Sequence, residues 1–480
     1  MNYIFFFPDE MRANGILKNG RFMEQMPNYN KLAQEGVVFD NCHVQNPVCS
    51  PSRCSLVTGL YPHNRGHRSL WYLLREDEPS MFEYLKNSGY HLQWYGKNDM
   101  YSKELFEKLI DGGSGCSRVK GGSGETFPEA TPEFYSFLHQ PVEEGGKMSD
   151  SILTDLAVEF LDHYKEEKPF FLFMPLECPH PPYTVPDEYY NLFNEKDMER
   201  IEDKDEPEFY AAIKKYRKLD QLDKDFLKKL KAVYYGSCSY VDMLLGKVLD
   251  AVKRNHLEGN TTIIVASDHG DWTGDYGLVE KWPNAFDDLI TNVPLIIKTP
   301  GNQAGHIVPE PVELFDIFPT VLELSDIKCG HTHFAKSLLP QLKGEKGDQD
   351  RMVFCEGGYS EIQCFEGRKE NGSEFLLNTE NVYRPKILHQ LENNHHACKS
   401  VMLRTMDYKL IARTKYDSEL YDLKKDPQEL HNVYRDEQYQ EIVKHLEKEL
   451  VNWYIETADT VPFSTDERKI PSKFAYKGVE

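Results

Sequence analysis

Short apolar runs alternate with longer amphipathic segments through the first half of the chain. The apolar runs predict buried strands at residues 3–7, 37–39, 91–95, 169–176 and 261–267. The segments between them have apolar residues at helical spacing, which predicts helices at 28–35, 80–90, 149–166 and 226–254. Strands that are apolar on both faces and alternate with helices are typical of α/β proteins. We therefore expect a large, mostly parallel sheet flanked by helices.

The pattern changes after the polar, glycine-containing stretch at 341–350, which predicts a linker. Strand-like pieces and a terminal helix follow, at 352–358, 400–405, 408–414 and about 435–455. We predict an α/β domain over 1–350 and a smaller α+β domain with an antiparallel sheet over 351–480. The charged stretch at 187–230 predicts a solvated helical excursion, with a lid as the alternative.

Polar clusters follow four of the predicted strands, at the point where each strand ends. They come after Phe7, Tyr95, Leu176 and Ser267. Ligands of open parallel sheets bind outside the carboxyl ends of the strands. The coincidence predicts that the four clusters share one site.

The charge of the chain restricts its partners. Its 480 residues carry a formal net charge of −22, from 78 Asp and Glu against 56 Lys and Arg. Nucleic acid is excluded as a general partner, because a phosphate backbone needs a basic surface. A small anionic substrate is not excluded, since a few cations can reverse the field inside one pocket.

The start of the chain and its cysteines bear on location. The short apolar run at 3–7 ends at Asp9 and Glu10, whereas a secretory signal needs a longer apolar stretch behind a basic start. No run reaches the about 20 apolar residues of a membrane span, so we expect no membrane partner. The ten cysteines include no CxxC pair, which favours reduced thiols. We expect a cytoplasmic protein.

The most informative string begins at Cys49 and reads CSPSRCSLVTG. Pro51 suits the first turn of a helix, where its missing N–H costs nothing. Cys49 would then lie at the helix entrance, beside free backbone N–H groups and the positive end of the helix dipole. Arg53 is one turn further on and can reach the same place. Such a place suits an anionic centre, but the spacing alone does not outweigh the alternative of a buried free cysteine near a helix start.

Cys49-x-Pro51-x-Arg53, followed by Thr58 and Gly59, resembles the signature of the formylglycine-dependent sulfatases of the alkaline phosphatase superfamily. The segments 3–10, 312–324 and 419–433 are also similar to sulfatase segments. In that family a maturation enzyme oxidises the cysteine to formylglycine. One hydroxyl of the hydrated aldehyde attacks sulfur, and the second later expels sulfate. The resemblance implies a sulfuric ester hydrolase that acts on a small sulfated molecule. A sulfated sugar is the expected substrate.

A metal site is predicted where two strands end. Asp268 and His269 follow one strand, and Asp9 and Glu10 follow the first strand. Carboxylates and an imidazole at strand ends can bind a divalent cation. The resemblance implies that these four residues and the modified Cys49 bind Ca²⁺, with Mn²⁺ or Mg²⁺ as alternatives. Sulfatases usually have two adjacent aspartates at the first strand, and Glu10 departs from that pattern.

The remaining catalytic roles are implied by the resemblance. Lys97 and Lys281 match the lysines that contact the sulfuryl oxygens, and Arg53 matches the arginine that helps to ionise the nucleophile. His180 matches a histidine that contacts the sulfate, and either His180 or Lys281 protonates the leaving oxygen.

The sequence departs from the family at Asp99. Many sulfatases have Gly-Lys-x-His where this chain has Asp99 in the histidine position. That histidine helps to expel sulfate, so Asp99 could replace it, orient Lys97 or contact the substrate. We assign Asp99 to substrate binding. The basic His67 and Arg68 are predicted to bind substrate as well, with a solvated loop as the alternative.

Two other functions remain open at this stage. Phosphonate monoester hydrolases use the same formylglycine and also lack the histidine, so a phosphonate monoester or phosphodiester hydrolase is the main alternative. A non-catalytic glycan-binding relative is the other, if Cys49 stays unmodified. The intact motif and both lysines count against the second alternative.

Overall fold

The computed structural model describes residues 1–461 apart from 18–19, 116–118, 203, 361–377 and 379. Within these residues, nine strands form the main sheet: β1 (Asn2–Phe6), β2 (Val37–His43), β3 (His91–Tyr95), β4 (Gly112–Ser114), β5 (Phe170–Met174), β6 (Thr261–Ala266), β7 (Asn292–Val293), β8 (Leu295–Lys298) and β9 (His306–Glu313). Their order is β4-β3-β5-β1-β6-β8-β2-β7, with β9 also paired to β2. The first five strands in this order are parallel, and β8 is antiparallel to both of its neighbours.

Helices lie on both faces of this sheet. The described helices are α1 (Pro27–Glu35), α2 (Cys49–Thr58), α3 (Pro62–Arg65), α4 (Met81–Asn87), α5 (Lys103–Leu109), α6 (Pro132–Tyr135), α7 (Ser149–His163), α8 (Asp187–Tyr190), α9 (Glu208–Tyr216), α10 (Lys224–Arg254), α11 (Asp288–Thr291), α12 (Ile317–Leu324), α13 (Leu339–Leu342), α14 (Arg384–Glu392) and α15 (Gln440–Thr457). One core contains apolar residues of α7 and α10, and the other contains those of α2, α4 and α12.

The central strands contact both cores, which explains their unbroken apolar sequences. In β1, Ile4 and Phe6 face the core under α7 and α10, whereas Tyr3 and Phe5 face the core under α2 and α12. This burial on both faces fixes the register of β1 in the middle of the sheet. It also fixes the position of the polar residues that follow each strand.

A second, antiparallel sheet lies near the C-terminus. It consists of β10 (Val353–Gly357), β11 (Ser400–Arg404), β12 (Tyr408–Arg413) and β13 (Glu419–Asp422) in sequence order. Helix α15 packs against it, and the Trp453 ring stacks on Phe354 with centroids 4.5 Å apart. The predicted fold class is thus confirmed. The division into domains at residue 350 stays a prediction, and residues 462–480 lie outside the described residues.

The charged stretch at 187–230 is less solvated than its composition predicts. Helix α9 buries Phe209, Tyr210 and Ile213 against Trp272 and Trp282. The expectation of a solvated excursion is therefore wrong for α9, because its three apolar residues at helical spacing pack beneath the loop that carries Lys281. No helix within the described ranges combines the length and the hydropathy needed to cross a bilayer. Cys116 and Cys364 lie outside the described residues, and the other cysteines have free thiols.

Candidate active site

The loops after β1, β3, β5 and β6 meet the start of α2 at one edge of the sheet. They carry Asp9, Lys97, His180 and Asp268, and α2 begins at Cys49. Because β1 lies between β5 and β6, Asp9 is central to the group. The four polar clusters of the sequence are therefore adjacent in space.

Cys49 is the first residue of α2, and only 2% of its surface is exposed. Pro51 follows within the first turn, as the sequence predicts. The Sγ atom lies 3.1 Å from His269 Nε2 and 3.8 Å from Asp9 Oδ1. Burial, together with the adjacent Asp9 charge, raises the pKa of the thiol to about 12.

Four atoms that could bind a metal ion lie close together at the base of the site. They belong to Asp9, Cys49, Asp268 and His269, all buried, and they lie within 4.8 Å of one another. His269 Nδ1 is 2.9 Å from Gly270 O and donates to it, so the lone pair on Nε2 faces the other three donors. Asp9 Oδ1 and Asp268 Oδ1 lie 3.7 and 3.9 Å from that nitrogen.

Arg53 orients both carboxylates of this group. It is fully buried, and its Nε donates to Asp268 Oδ2 at 2.8 Å while Nη2 donates to Asp9 Oδ2 at 3.0 Å. These bonds leave both Oδ1 atoms facing His269. Among the described residues, the buried Nη1 has no hydrogen-bond partner, so it can donate to a group bound at the centre.

Lys97 lies between the nucleophile position and the solvent. Its Nζ donates to Asp9 Oδ2 at 2.7 Å and lies 4.0 Å from Cys49 Sγ and 3.0 Å from Asp99 Oδ2. Burial disfavours the ammonium charge, but Asp9 and Asp99 hold the pKa of Lys97 well above its usual range. Lys97 is therefore a cation that is already paired with two carboxylates.

The backbone before Lys97 requires glycine. Gly96 has a φ of 144°, and a Cβ at this position would lie 2.1 Å from the carbonyl oxygen of Pro175. The same carbonyl accepts the backbone N–H of Lys97 at 2.7 Å. This close approach of the two loops fixes where the Lys97 side chain starts.

Glu10 lies beside the four donor atoms rather than among them. Its Oε2 accepts from Lys281 Nζ at 2.7 Å, and its Oε1 is buried without a hydrogen-bond partner in the described part of the chain. With Asp9 and His180 it forms a second group whose possible ligand atoms lie within 4.8 Å of one another. Glu10 can thus reach a cation only from the side of His180.

The loop that carries His180 is anchored by a buried carboxyl. Asp150, in the first turn of α7, accepts the backbone N–H groups of Glu177 and Cys178 at 3.1 and 2.7 Å. His180 Nδ1 lies 2.7 Å from Pro181 O, so Nε2 is the nitrogen that faces Glu10, at 3.5 Å. The loop therefore presents one defined nitrogen to the site.

Comparison with known proteins identifies the family of the chain. The profile of the sulfatase family matches residues 1–327, and the profile "N-sulphoglucosamine sulphohydrolase, C-terminal" matches residues 372–456. The chain belongs to the sulfatase family. A sulfatase of Formosa agariphila is 29% identical over 391 residues, which cover 72% of this chain and 75% of that protein. The chain is thus a sulfatase enzyme.

Two solved structures illustrate the fold that this chain shares with other proteins. The phosphonate monoester hydrolase of Agrobacterium radiobacter has a TM-score of 0.76 and 22% identity, over 97% of this sulfatase and 100% of that chain. A protein solved in complex with its substrate D-glucosamine-2-N,6-O-disulfate has a TM-score of 0.71 and 20% identity, over 97% and 99% of the two chains. At these identities the likeness concerns the fold alone.

The donor set of this sulfatase fits a divalent cation. Two carboxylates and an imidazole nitrogen are ligands that such cations take, and all are buried. The Arg53 guanidinium and the Lys97 ammonium neutralise the outer oxygens of the carboxylates, so the cluster is satisfied on every side except the one it shares with Cys49. The described residues therefore fit the metal that the family implies, with Glu10 in a flanking position.

A cavity of about 360 Å³ opens above Cys49. Its base contains Cys49, Lys97, Asp99, His180 and Lys281, all of which the sequence predicts as site residues. Its upper part, which we call the apolar wall, consists of Leu70, Trp71, Pro283, Tyr383 and Ile387. A substrate would thus have its anionic group at the base and its organic part against the apolar wall.

His67 and Arg68 point into the fold rather than into this cavity. The His67 ring contacts Tyr72 O at 2.7 Å and Glu78 Oε1 at 3.1 Å. The Arg68 guanidinium pairs with the buried Glu356 of β10. Both side chains are buried, so a direct contact with substrate, as the sequence predicts, would require these bonds to break. The basic character of this stretch gives no sign that both side chains are buried in such bonds.

Several residues of the cavity have no sequence signal. Glu280 lies next to Lys281, and Tyr383, Lys386 and Ile387 come from α14 and the turn before it. The last three are about a hundred residues from Lys281 in the sequence, and none of them belongs to a recognisable motif. Only the long-range packing of α14 against the loop of Lys281 brings them to the site.

Proposed function

We propose that this sulfatase removes sulfate from a carbohydrate sulfate ester, with a nucleophile derived from Cys49 and one bound divalent cation. The observation that carries the proposal is the convergence of Asp9, Cys49, Asp268 and His269, whose donor atoms lie within 4.8 Å of one another. This group lies at the base of an open cavity beside three cations. A formylglycine-generating maturation enzyme is the implied partner.

The charged groups of the site fit a sulfuryl group. Lys97 and Lys281 both line the base of the cavity, and carboxylates hold both ammonium groups there. Charges held in place before the reaction stabilise the charge that develops on the oxygens in the transition state. The buried Nη1 of Arg53 has no hydrogen-bond partner among the described residues.

Two residues are placed to protonate the leaving oxygen. His180 Nε2 faces the site because Nδ1 is bonded to Pro181 O, and the side chain of Lys281 is 5% exposed. A general acid must lie within hydrogen-bond reach of the atom that it protonates. Burial disfavours the charge of Lys281, but Glu10 and Glu280 help to hold its pKa well above the usual value, so it carries a proton that it can donate. His180 would first need a second proton, because Nδ1–H donates to Pro181 O and burial holds the pKa of the ring well below its usual value. We assign the role to Lys281, with His180 as the alternative.

A divalent cation and the modified residue at position 49 would complete this chemistry. Asp9, Asp268 and His269 would hold the cation, which would act there as a Lewis acid and offset negative charge. Formylglycine at position 49 would supply geminal hydroxyls in place of the thiol. Ca²⁺ is the proposed ion, with Mn²⁺ or Mg²⁺ as alternatives, because carboxylate oxygens are hard ligands.

A sugar is the proposed organic part of the substrate. The exposed ring of Trp71 at the apolar wall can stack on a sugar face. A protein of the same fold was solved with a sulfated glucosamine as its substrate, which supports sugars as the first compounds to test. Release of inorganic sulfate from sulfated mono- and disaccharides tests the proposal, and the absence of release from the whole panel would contradict it.

A second candidate function is favoured by a second cavity. A space of about 380 Å³ also borders Lys97 and His180, and it is lined by Ser123, Ser149 and Thr184. A sulfate monoester has one organic substituent, whereas a phosphonate monoester or a phosphodiester has two on the central atom. Two cavities that share Lys97 and His180 have room for both substituents. Turnover of an aryl phosphonate ester but not of an aryl sulfate would select this candidate.

A further inference from the structure

The second cavity adjoins the first at Lys97 and His180, which line both. Its volume of about 380 Å³ is close to the about 360 Å³ of the first, and both lie in the range of pockets that hold a small ligand. Its other lining residues come from three segments, 119–123, 148–150 and 177–184. The base of the site, where the ester would bind, therefore has space for ligand on two sides.

Hydrogen bonds and close packing hold the walls of the second cavity in place. The backbone N–H of Gly122 donates to Lys147 O at 2.8 Å. A Cβ on Gly121 would lie 2.1 Å from the backbone nitrogen of Ser149, so this segment packs directly on the start of α7. The opposite wall is the loop that the Asp150 carboxyl anchors. The cavity is thus formed before a ligand binds, which lowers the entropic cost of binding.

The lining of the second cavity combines apolar surfaces with polar groups. The apolar residues are Val119, Met148, Pro181 and Pro182, and the hydroxyl and carboxylate side chains are those of Ser123, Ser149, Asp150, Glu177 and Thr184. A pyranose ring needs both kinds of contact, because its faces carry C–H groups and its edge carries hydroxyl groups.

Glu177 offers an acceptor for such hydroxyl groups. Its side chain is exposed, and its Oε2 accepts from Ser149 Oγ at 3.3 Å. Among the described residues, no hydrogen bond reaches its Oε1, so this oxygen is available to a ligand. Ser123, which is also exposed, adds a second hydroxyl to the same cavity.

A single sulfated sugar would leave this cavity unused. A sulfate monoester has one organic substituent, and the apolar wall with Trp71 receives it in the first cavity. A sugar within a chain also carries a covalently linked neighbour. The neighbour can pass Lys97 and His180 into the second cavity, because the two cavities meet there.

We propose that the substrate is a sulfated oligosaccharide of at least two units, with the sulfated unit in the first cavity and the adjoining unit in the second. Glu177 and Ser123 contact the hydroxyl groups of the adjoining unit. This inference rests on the proposed function and narrows its substrate class from sulfated sugars in general to sulfated oligosaccharides.

The test compares sulfate release from one sulfated hexose and from two disaccharides, in which the same hexose carries a neutral neighbour on its reducing or its non-reducing side. We expect the wild-type kcat/KM to be at least tenfold higher for one disaccharide than for the monosaccharide, mainly through KM. Glu177→Ala removes the acceptor, and Ser123→Leu fills part of the cavity. Each should lower kcat/KM at least fivefold for that disaccharide and less than twofold for the monosaccharide.

A binding measurement and a control separate recognition from structure. Calorimetry should show that the desulfated disaccharide binds the wild type and that Glu177→Ala weakens this binding at least fivefold. Ser88→Leu is the matched control for Ser123→Leu, because Ser88 is exposed and lies between α4 and β3, at the edge of the sheet opposite the site. It should leave all three substrates unchanged.

Three results would overturn the proposal. The first is a wild type that shows no preference for either disaccharide, and the second is an equal loss on all substrates in Glu177→Ala and Ser123→Leu. The third is a loss in these variants on an aryl phosphonate ester but not on the disaccharides, because the second cavity would then hold the second substituent of that ester. Sulfate release from the monosaccharide in any of these cases would leave the proposed function standing, whereas no release from any substrate would contradict both.

Discussion

At the scale of residues, the site is a chain of ion pairs in which each charge has a defined partner. Asp9 accepts from both Arg53 and Lys97, and Asp268 accepts from Arg53. Cys49 lies at the centre of these ion pairs and takes part in none of them, because its thiol is uncharged. Removing Cys49 should therefore leave the surrounding pairs intact, whereas removing one of the charges should disturb several.

Cys49→Ala should abolish turnover and leave the fold unchanged. The side chain is small, and its nearest neighbours remain bonded to Arg53, Lys97 and Gly270. Cys54→Ala is the matched control, because Cys54 lies on the same helix, is equally buried and faces the apolar core. It should keep activity and lose about 1 kcal/mol of stability. Sulfate release and thermal unfolding of both variants measure the difference, and substantial activity in Cys49→Ala would refute the assigned nucleophile.

Asp99→Asn separates three roles of that carboxylate. The distance of 3.0 Å between Asp99 Oδ2 and Lys97 Nζ supports a role in orienting Lys97. Asp99 also lines the cavity, which supports a contact with the substrate. We expect the substitution to raise KM and change selectivity among sugars with little effect on kcat. Steady-state kinetics, with intact mass measured during turnover, distinguish the outcomes. A covalent sulfate adduct that accumulates at position 49 would show instead that Asp99 replaces the missing histidine.

At the scale of elements, the loops are positioned by buried polar groups rather than by their own sequences. Asp150→Ala should lower the free energy of unfolding by about 1–3 kcal/mol, because two backbone N–H groups lose their acceptor. It should also reduce kcat, since the loop that presents His180 is no longer held. Asp155→Ala on the same helix removes only exposed ion pairs with Lys147 and Lys247 and should change either quantity little.

Chemical denaturation and steady-state kinetics of both variants test this anchoring. Equal effects of Asp150→Ala and Asp155→Ala would show that the carboxyl of Asp150 does not fix the loop. A stability loss in Asp150→Ala without any change in kcat would show that the loop keeps its position without this anchor.

The elements also show what the sequence could predict. The strands β1, β5 and β6 and the helices α7 and α10 are recognisable because both sides of the sheet are buried, which leaves continuous apolar runs between amphipathic helices. The burial of α9 was not predictable, because its apolar residues are surrounded by charges and their partners, Trp272 and Trp282, are sixty residues away in the sequence. Local composition cannot report such a contact.

At the scale of the whole molecule, the cavity combines residues from the first strand to α14. The base was predictable, since Lys97 and His180 follow predicted strands and the resemblance to sulfatases implies roles for Cys49 and Lys281. The wall was not, since Tyr383, Lys386 and Ile387 reach the cavity only through the packing of α14. His67 and Arg68 show the converse, because basic residues near the motif pair with Glu78 and Glu356 instead of lining the cavity.

Removal of divalent cations should abolish turnover without unfolding the protein. The carboxylates of the site already have Arg53 and Lys97 as partners, so the cluster does not depend on the metal for its charge balance. Bound metal adds stability by mass action, about 2–3 kcal/mol at a hundredfold excess over Kd. Exhaustive chelation should therefore lower the Tm, and added Ca²⁺ should restore it. Asp268→Asn should abolish the Tm response, whereas an unchanged Tm and unchanged kinetics after chelation would contradict the metal site.

The central claim is that a nucleophile at position 49 hydrolyses a sulfuric ester. It is tested most directly by inorganic sulfate release, measured by ion chromatography on a panel of sulfated sugars, with enzyme whose Cys49 peptide has the mass of formylglycine. The account predicts stoichiometric sulfate from at least one sugar and none from Cys49→Ala. Sulfate release by protein with an unmodified thiol, or no release from any sugar by the modified enzyme while it cleaves an aryl phosphonate ester, would contradict it.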